Sequence, residues 1–317
     1  MNCALVTGGA GFIGSHLVQA LLELGVTVRV LDNLSGSSPD CINILRNGVK
    51  LIQGDVRDLK VCSLACQGVD VIFHMAAQVS VPVSVSDPML SDTVNTGGTL
   101  NMLIAARENG ISRFVFSSSA AVYGEVATAP VCETALPLPS SPYGAQKLFG
   151  EHYARLFSSL YGLPTVSLRY FNVFGPRQNP QSSYAAAIPK FIDRILSNDT
   201  VQVYGDGTQT RDFCYVEDVV QANILAATTS SANAIGGIYN VGSGESTSIN
   251  SLLACLESLL NHPIPVQYIP KRLGDIEHSL ADTRLALSDL NFTARTSLKD
   301  GLERTLEYFM NLRSSKR

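Results

Sequence analysis

Residues Thr7-Gly8-Gly9-Ala10-Gly11-Phe12-Ile13-Gly14 decide the reading of this chain, because they follow an apolar run at 3–7 and open a leucine-rich helical segment. Glycines at this spacing let backbone come close to a pyrophosphate. Gly8 allows the tight turn, Gly11 the phosphate contact and Gly14 the packing of helix on strand. The first helical turn, with Phe12 and Ile13, adds unpaired N–H groups aimed at the same anion. A second apolar run, 26–31, ends in Asp32, whose carboxylate can accept from both adenosine ribose hydroxyls and repels a 2′-phosphate. Strand, glycines and acid in this order predict a dinucleotide site that prefers NAD to NADP. Asn33 follows in the same loop, and Asp55-Val56, after the run at 49–53, is a candidate for the adenine edge.

Further apolar, β-branched runs at 69–74, 113–117 and 164–169 alternate with helical segments. That alternation predicts an α/β fold, a Rossmann-type doubly wound parallel sheet. From about Phe174 the pattern loosens, interrupted by Pro176, Pro180, Pro189 and Gly205-Asp206-Gly207, so a smaller C-terminal substrate-binding domain is expected there. Residues 213–227 look helical and 238–241 look like a strand. The expected division is therefore 1–173 for the first domain, with a return of about 213–242, and 174–317 mainly for the second. Residues 314–317 are expected to fray.

With 317 residues, 45% of them hydrophobic, the chain can bury a large core, and disorder is excluded as a class. Lys and Arg total 23 against 27 acids, for a net charge of −4, so no broad basic surface exists for a nucleic-acid backbone. The 7 cysteines follow neither a disulfide framework nor paired metal-ligand spacing and read as reduced core thiols; no metal is expected. Strand-like sequence starts at Cys3 with no basic leader or long apolar stretch, which predicts a soluble, cytoplasmic protein with no membrane partner.

The chemistry comes from two segments. Ser117-Ser118-Ser119-Ala120-Ala121-Val122-Tyr123-Gly124 lies at the carboxyl end of the fifth run, where open α/β sheets bind ligands. Tyr143 and Lys147, in Ser141-Pro142-Tyr143-Gly144-Ala145-Gln146-Lys147, lie four apart and share one face of a helix. A phenol titrates near 10, and bringing it to neutrality takes roughly 4 kcal/mol. One unit charge about 6 Å away supplies roughly 3 kcal/mol at an effective dielectric near 20. The Lys147 ammonium and a nicotinamide cation together suffice. Tyr143 can then take a hydroxyl proton while Ser119 holds that hydroxyl in line.

With these residues in view, the whole chain resembles the extended short-chain dehydrogenase/reductases, specifically the UDP-hexose 4-epimerases. The resemblance rests on the glycine run, His74-Met75-Ala76-Ala77, Asn95 in Asn-Thr-Gly-Gly-Thr, Ser119, Tyr143, Lys147 and Arg169-Tyr170-Phe171-Asn172-Val173-Phe174-Gly175. It implies that tyrosine removes the 4-hydroxyl proton as the C4 hydride passes to bound NAD. The 4-keto sugar then turns and receives the hydride on its other face. It further implies that Ala76, Ala77, Asn95, Ser117, Tyr170 and Val173 adjoin the cofactor. Ser80, Asn172, Ala187, Ile188, Val203 and Tyr204 would adjoin the UDP-sugar. Arg211 and Arg272 would clamp the diphosphate, as guanidinium forks suit, and Asp275 would accept from the uridine ribose.

In the same comparison the nucleotide-sugar 4,6-dehydratases place an Asp-Glu pair where this chain has Ala120-Ala121, and UDP-glucuronate decarboxylases place a glutamate at Ala121, so neither chemistry is expected. Ser279, in the segment 274–282, matches a residue bordering the sugar's C2 side. A tyrosine there restricts some 4-epimerases to non-acetylated sugars, and a small residue admits N-acetylhexosamines. The segments 184–190 and 211–215 also look most like the N-acetylhexosamine type. The helices after Val83 and Tyr143 resemble those of a family dimer interface, so a homodimer is expected. The alternatives are 4-epimerisation of a UDP-uronic acid and, further off, a protein that binds NAD without catalysis.

Overall fold

The computed structural model describes residues 1–46, 48–125, 129–180, 186–271 and 276–314. The apolar runs become β1 (Cys3–Thr7), β2 (Thr27–Asp32), β3 (Val49–Gln53), β4 (Val71–His74), β5 (Arg113–Ser119) and β6 (Thr165–Tyr170). Between them lie α1 (Phe12–Glu23), α2 (Pro39–Ile44), α3 (Leu59–Cys66), α4 (Val81–Ser86), α5 (Pro88–Asp92), α6 (Gly98–Glu108) and α7 (Pro142–Tyr161). The chain continues as β7 (Asn172–Phe174), α8 (Ala187–Leu196), β8 (Val201–Tyr204), β9 (Thr210–Arg211), β10 (Phe213–Tyr215), α9 (Val216–Thr228) and β11 (Gly237–Val241). It ends with β12 (Thr247–Ser248), α10 (Ile249–Leu260), β13 (Val266–Ile269), α11 (Arg284–Leu290) and α12 (Leu298–Ser314).

Seven strands form one sheet in the order β11-β6-β5-β4-β1-β2-β3, every neighbouring pair parallel. Strand order reverses between β1 and β4, and the carboxyl ends of those strands border the crevice where such sheets bind ligands. Helices cover both faces, which is why the strands read as continuous apolar runs rather than alternating ones. A first core gathers Val6, Val30, Phe73, Val115, Leu168 and Val241 from the sheet with Val219 and Ala226 of α9. A second core joins Phe174, Ile188, Ile192, Val203, Tyr215, Leu252, Leu256, Leu302 and Phe309. The three remaining β-pairs, β7 with β10, β8 with β13 and β9 with β12, are two-stranded.

The structure corrects two expectations and adds one crossing of the chain that they did not include. Phe213–Tyr215 is a strand, not the start of a helix, because it pairs in parallel with Asn172–Phe174; α9 begins at Val216. The chain also returns to the first core a second time, through Ala286, Leu290 and Phe292. All seven cysteines are free thiols, but only Cys41, Cys62, Cys66 and Cys214 are buried; Cys3, Cys132 and Cys255 are partly exposed. Among the described residues no helix is long and apolar enough to cross a membrane.

Helix α7 is pinned in a way that fixes the chemistry. Ser141 caps it, accepting from Gly144 N at 3.2 Å, and Pro142 occupies its first turn. A side chain at Gly144 would come within 2.5 Å of Ala121 O, and one at Gly150 within 2.3 Å of the Phe116 ring. Gly144 thus brings α7 against the backbone just after β5, and Gly150 makes room for the Phe116 ring of β5.

Candidate active site

The turn after β1 is a backbone-lined cradle. Gly8 has φ +69°, and a Cβ there would lie 2.8 Å from Ala76 N; one at Gly14 would lie 2.2 Å from Gly8 O. Helix α1 starts from Gly11 with no side-chain cap and no acid in its first turn, leaving its N–H groups for an anion. Asp32 ends β2 and steadies the cradle, accepting from Ala10 N at 2.9 Å and Leu34 N at 2.8 Å. These residues fit a dinucleotide: glycine backbone for its pyrophosphate, and a carboxylate at the end of the next strand for its ribose.

Asp55 sits beside Asn33, and its four acceptor positions are already filled. Arg57 N, Nε and Nη2 and Asn33 Nδ2 all donate to it at 2.8–2.9 Å. Arg57 holds this carboxyl down at about 2, so an adenine amino group would have to displace Arg57 to reach it. Val56 is buried next to it.

The loop after β4 carries Met75, Ala76 and Ala77. Thr7 Oγ1 accepts from Met75 N and Ala76 N at 3.2 Å and meets His74 Nδ1 at 2.8 Å, while His74 Nε2 meets Thr99 Oγ1 at 3.0 Å. Burial first, and the charge of Lys147 second, push His74 down to about 3, so it serves as a neutral strut. Asn95 is buried and holds the same loop: its Oδ1 accepts from Gln78 N at 2.8 Å, and its Nδ2 donates to Gln78 O and to Gln146 Oε1 of α7. Ser80 caps α4, accepting from Val83 N.

Ser119, Tyr143 and Lys147 converge at the end of β5. Ser119 Oγ accepts from Ala121 N at 3.2 Å and draws the Tyr143 phenol downward against burial. Lys147 is buried, donates to Ser117 O at 2.6 Å, and places Nζ 5.9 Å from the centre of the Tyr143 ring. Tyr143 N donates to Ser84 Oγ at 3.1 Å, tying the helix start to α4. Burial pushes the phenol up to about 12 and the ammonium down to about 8, with Glu151 opposing the latter. The protein's own groups therefore do not bring Tyr143 near neutrality, against the expectation from the sequence, because burial outweighs them. Tyr170 pairs with Ser119 in the β5–β6 register and donates its phenol to Asn223 Oδ1 at 2.9 Å. Val173 follows in β7, half-buried.

At the sugar end, Asn172 Nδ2 donates to Asp212 O at 3.1 Å. Arg211 Nη1 donates to Thr210 O at 2.8 Å, and Ser279 N donates to Thr210 O at 3.2 Å, which brings Arg211 and Ser279 to one place. Ala187 and Tyr204 are partly exposed, but Ile188 and Val203 bury their side chains in the second core, so only their main chain can face a ligand. Arg272 and Asp275 lie outside the described residues.

Sequence reasoning missed a hub at Asp212. This buried carboxylate accepts from Ser243 N and Oγ at 2.7 Å and from Gly244 N and Ala281 N at 3.1 Å, joining three distant segments. Three of its four donors are backbone N–H groups, which leave no mark in a sequence. It also missed the buried fork between Glu151 of α7 and Arg169 of β6, at 2.7 and 2.8 Å.

A parallel sheet with a glycine cradle at its switch point and a Ser/Tyr/Lys set at the end of β5 defines a Rossmann-fold enzyme that uses a dinucleotide to act at a hydroxyl-bearing carbon. More particularly, the chain belongs to the NAD dependent epimerase/dehydratase family, which matches residues 4–242. It is 41% identical to a UDP-N-acetylglucosamine 4-epimerase from Methanobrevibacter ruminantium M1, solved in complex with UDP-N-acetylmuramic acid; the TM-score is 0.93, over 98% of this chain and 99% of that one. It is 37% identical over 311 residues to a UDP-glucose 4-epimerase of Mycolicibacterium smegmatis, covering 97% of this chain and 98% of the relative. A UDP-glucuronic acid 4-epimerase from Bacillus cereus, solved with UDP-glucuronic acid and NAD, is 34% identical with a TM-score of 0.90, over 98% and 99% of the chains. The chain is an NAD-dependent UDP-sugar 4-epimerase.

Proposed function

We propose that the chain interconverts the C4 epimers of UDP-N-acetylglucosamine and of UDP-glucose, with the acetylated sugar turned over at least as well. The observation that carries this reading is the place of Ser279: a small residue, hydrogen-bonded through its main chain to Thr210 and so set beside Arg211. Its hydroxymethyl group leaves room on the C2 side that an aromatic ring would fill.

In this reading residues 1–173 with 213–242 hold the cofactor and most of the rest of 174–317 holds the UDP-sugar. NAD, when bound, supplies a reversible two-electron acceptor at its nicotinamide. Tyr143 takes the proton of the 4-hydroxyl and returns it, Ser119 holds that oxygen, and Lys147 keeps a positive charge beside the phenol. The protein excludes bulk water by burying Lys147 and half-burying Tyr143. Asp32 selects NAD through the ribose.

The experiment is Ser279→Tyr. It should cut turnover of UDP-N-acetylglucosamine by at least about tenfold while sparing UDP-glucose, the range one steric contact commands. Equal losses on both substrates, or none on either, would remove Ser279 as the gate. The likeness to the Bacillus cereus enzyme keeps a second reading, a UDP-uronic acid as substrate, and UDP-glucuronic acid belongs in the same assay. We further propose a homodimer: Phe149, Leu156 and Leu160 share one face of α7 and are exposed, as is Met89 of α5. Light scattering should give twice the chain mass.

A further inference from the structure

Lys147 is one of two charged side chains that α7 buries. The other, Glu151, lies one helical turn further on the same face. Its carboxylate is held on three sides: Arg169 Nε donates to Oε1 at 2.8 Å, Arg169 Nη2 donates to Oε2 at 2.7 Å, and Ser118 Oγ donates to Oε1. Arg169 is itself clamped, with its guanidinium 4.6 Å from the centre of the Tyr123 ring and Nη1 donating to Glu133 O. Ser118 stands between Ser117, which accepts from Lys147, and Ser119, which meets Tyr143. An acid, a guanidinium and a strand residue are thus locked directly behind the Tyr143–Lys147 pair.

We propose that Glu151 is a positioning residue for the epimerisation, acting as the fixed counter-charge that keeps Lys147 an ammonium, so that the coupled pair gives up its proton from Tyr143 and not from Lys147. This role rests on the assignment of Tyr143 and Lys147 made above. A buried lysine beside a half-buried phenol has two ways to lose one proton. If the ammonium loses it, the site holds a neutral amine and a neutral phenol and has no base. If the phenol loses it, the site holds the phenolate and ammonium that the reaction needs. A carboxylate one turn from Lys147 and two turns from Tyr143 stabilises the ammonium more than it opposes the phenolate, and does nothing for the amine.

The groups facing Lys147 from its surroundings are few. On α7 they are Tyr143 and Glu151; from β4 comes His74, which is neutral; from β6 come Arg169, held on Glu151, and Tyr170, bonded to Asn223. Asp87 and Asp92 of the α4–α5 segment are exposed and bonded to Leu90 N and Thr96 Oγ1. Burial draws Lys147 down to about 8, and Glu151 is the group that opposes this.

The experiment follows the Lys147 side chain directly by 13Cε NMR titration of the full chain, with its resonance identified by its loss in Lys147→Arg. Glu151→Gln should lower the titration midpoint of Lys147 by about one pH unit. In the same variant kcat near pH 8 should fall about tenfold with KM little changed. Glu151→Asp keeps the charge and Ser118→Ala removes only a hydrogen bond, so both should leave the midpoint in place even if they lower the melting temperature. Should the single variant fail to fold, because it strands Arg169, the double variant E151Q/R169M strands no charge and carries the same expectation with a smaller shift. A Lys147 midpoint unmoved in a folded Glu151→Gln or double variant overturns the proposal. A midpoint that moves while Tyr143→Phe keeps full activity would sink the assignment of the base instead, so the two failures are distinct.

Discussion

Removing the charge of Lys147 while keeping its length, as in Lys147→Met, tests how the base is made. Nζ lies 5.9 Å from the centre of the Tyr143 ring, where a unit charge is worth about 3 kcal/mol at an effective dielectric near 20. That corresponds to about two pH units on the phenol. The sign is fixed by the chemistry: the cation favours the phenolate, so its loss raises the tyrosine's pKa, and the active form appears only at higher pH. Burial already pushes this phenol up to about 12 from its ordinary value, with Ser119 opposing, so losing the cation adds to a rise that is already in place. The assay is kcat against pH with the NAD-loaded enzyme and saturating UDP-sugar. The acid limb should move up by about two units, and turnover at pH 7 should fall about 100-fold and recover as pH rises. An acid limb that stays in place would refute an electrostatic role for Lys147 and leave it as a tether on Ser117 O.

Tyr143→Phe should keep the fold and the cofactor but lose at least about 10² in turnover, since the oxygen that accepts the proton is gone; this is read from steady-state kinetics. Asp32→Ala should weaken NAD binding and relax the discrimination against NADP, measured as the ratio of their dissociation constants; an unchanged ratio would count against the ribose contact. Gly14→Ala places a Cβ 2.2 Å from Gly8 O, a backbone atom that cannot swing aside, so it should cost about 1–3 kcal/mol in stability and release NAD, followed by thermal melting and cofactor absorbance.

Local signals made much of this molecule legible in the sequence. The glycine run and Asp32 lie at the ends of adjacent strands, and a continuous apolar run names a parallel strand wherever both faces of a sheet are covered, so β1 to β6 could be read directly. Ser119, Tyr143 and Lys147 were legible because two of them share a helix face and the third ends the fifth run.

What could not be read depends on contacts between distant segments. Phe213–Tyr215 counts as a strand only because β7 lies beside it, and three residues before a helix carry no period of their own. Glu151 looks like one more helix acid until Arg169, on another strand, reaches it. Ile188 and Val203 are expected beside the sugar, and that the second core takes their side chains, leaving main chain to face it, depends on contacts the sequence does not show. Tyr143 was expected to be drawn down toward neutrality, whereas burial pushes its phenol up to about 12, because the packing around the start of α7 is a property of the folded helix and not of the sequence.

As a 4-epimerase the enzyme runs a closed cycle: it inverts C4 and ends each turnover with its cofactor as it began. Purified protein, given UDP-glucose or UDP-N-acetylglucosamine and no added NAD, should convert each to a mixture of its C4 epimers, followed by 1H NMR of the anomeric signals, with many turnovers per protein-bound NAD and no net absorbance at 340 nm. Turnover that requires added NAD and yields one NADH per product would contradict the account.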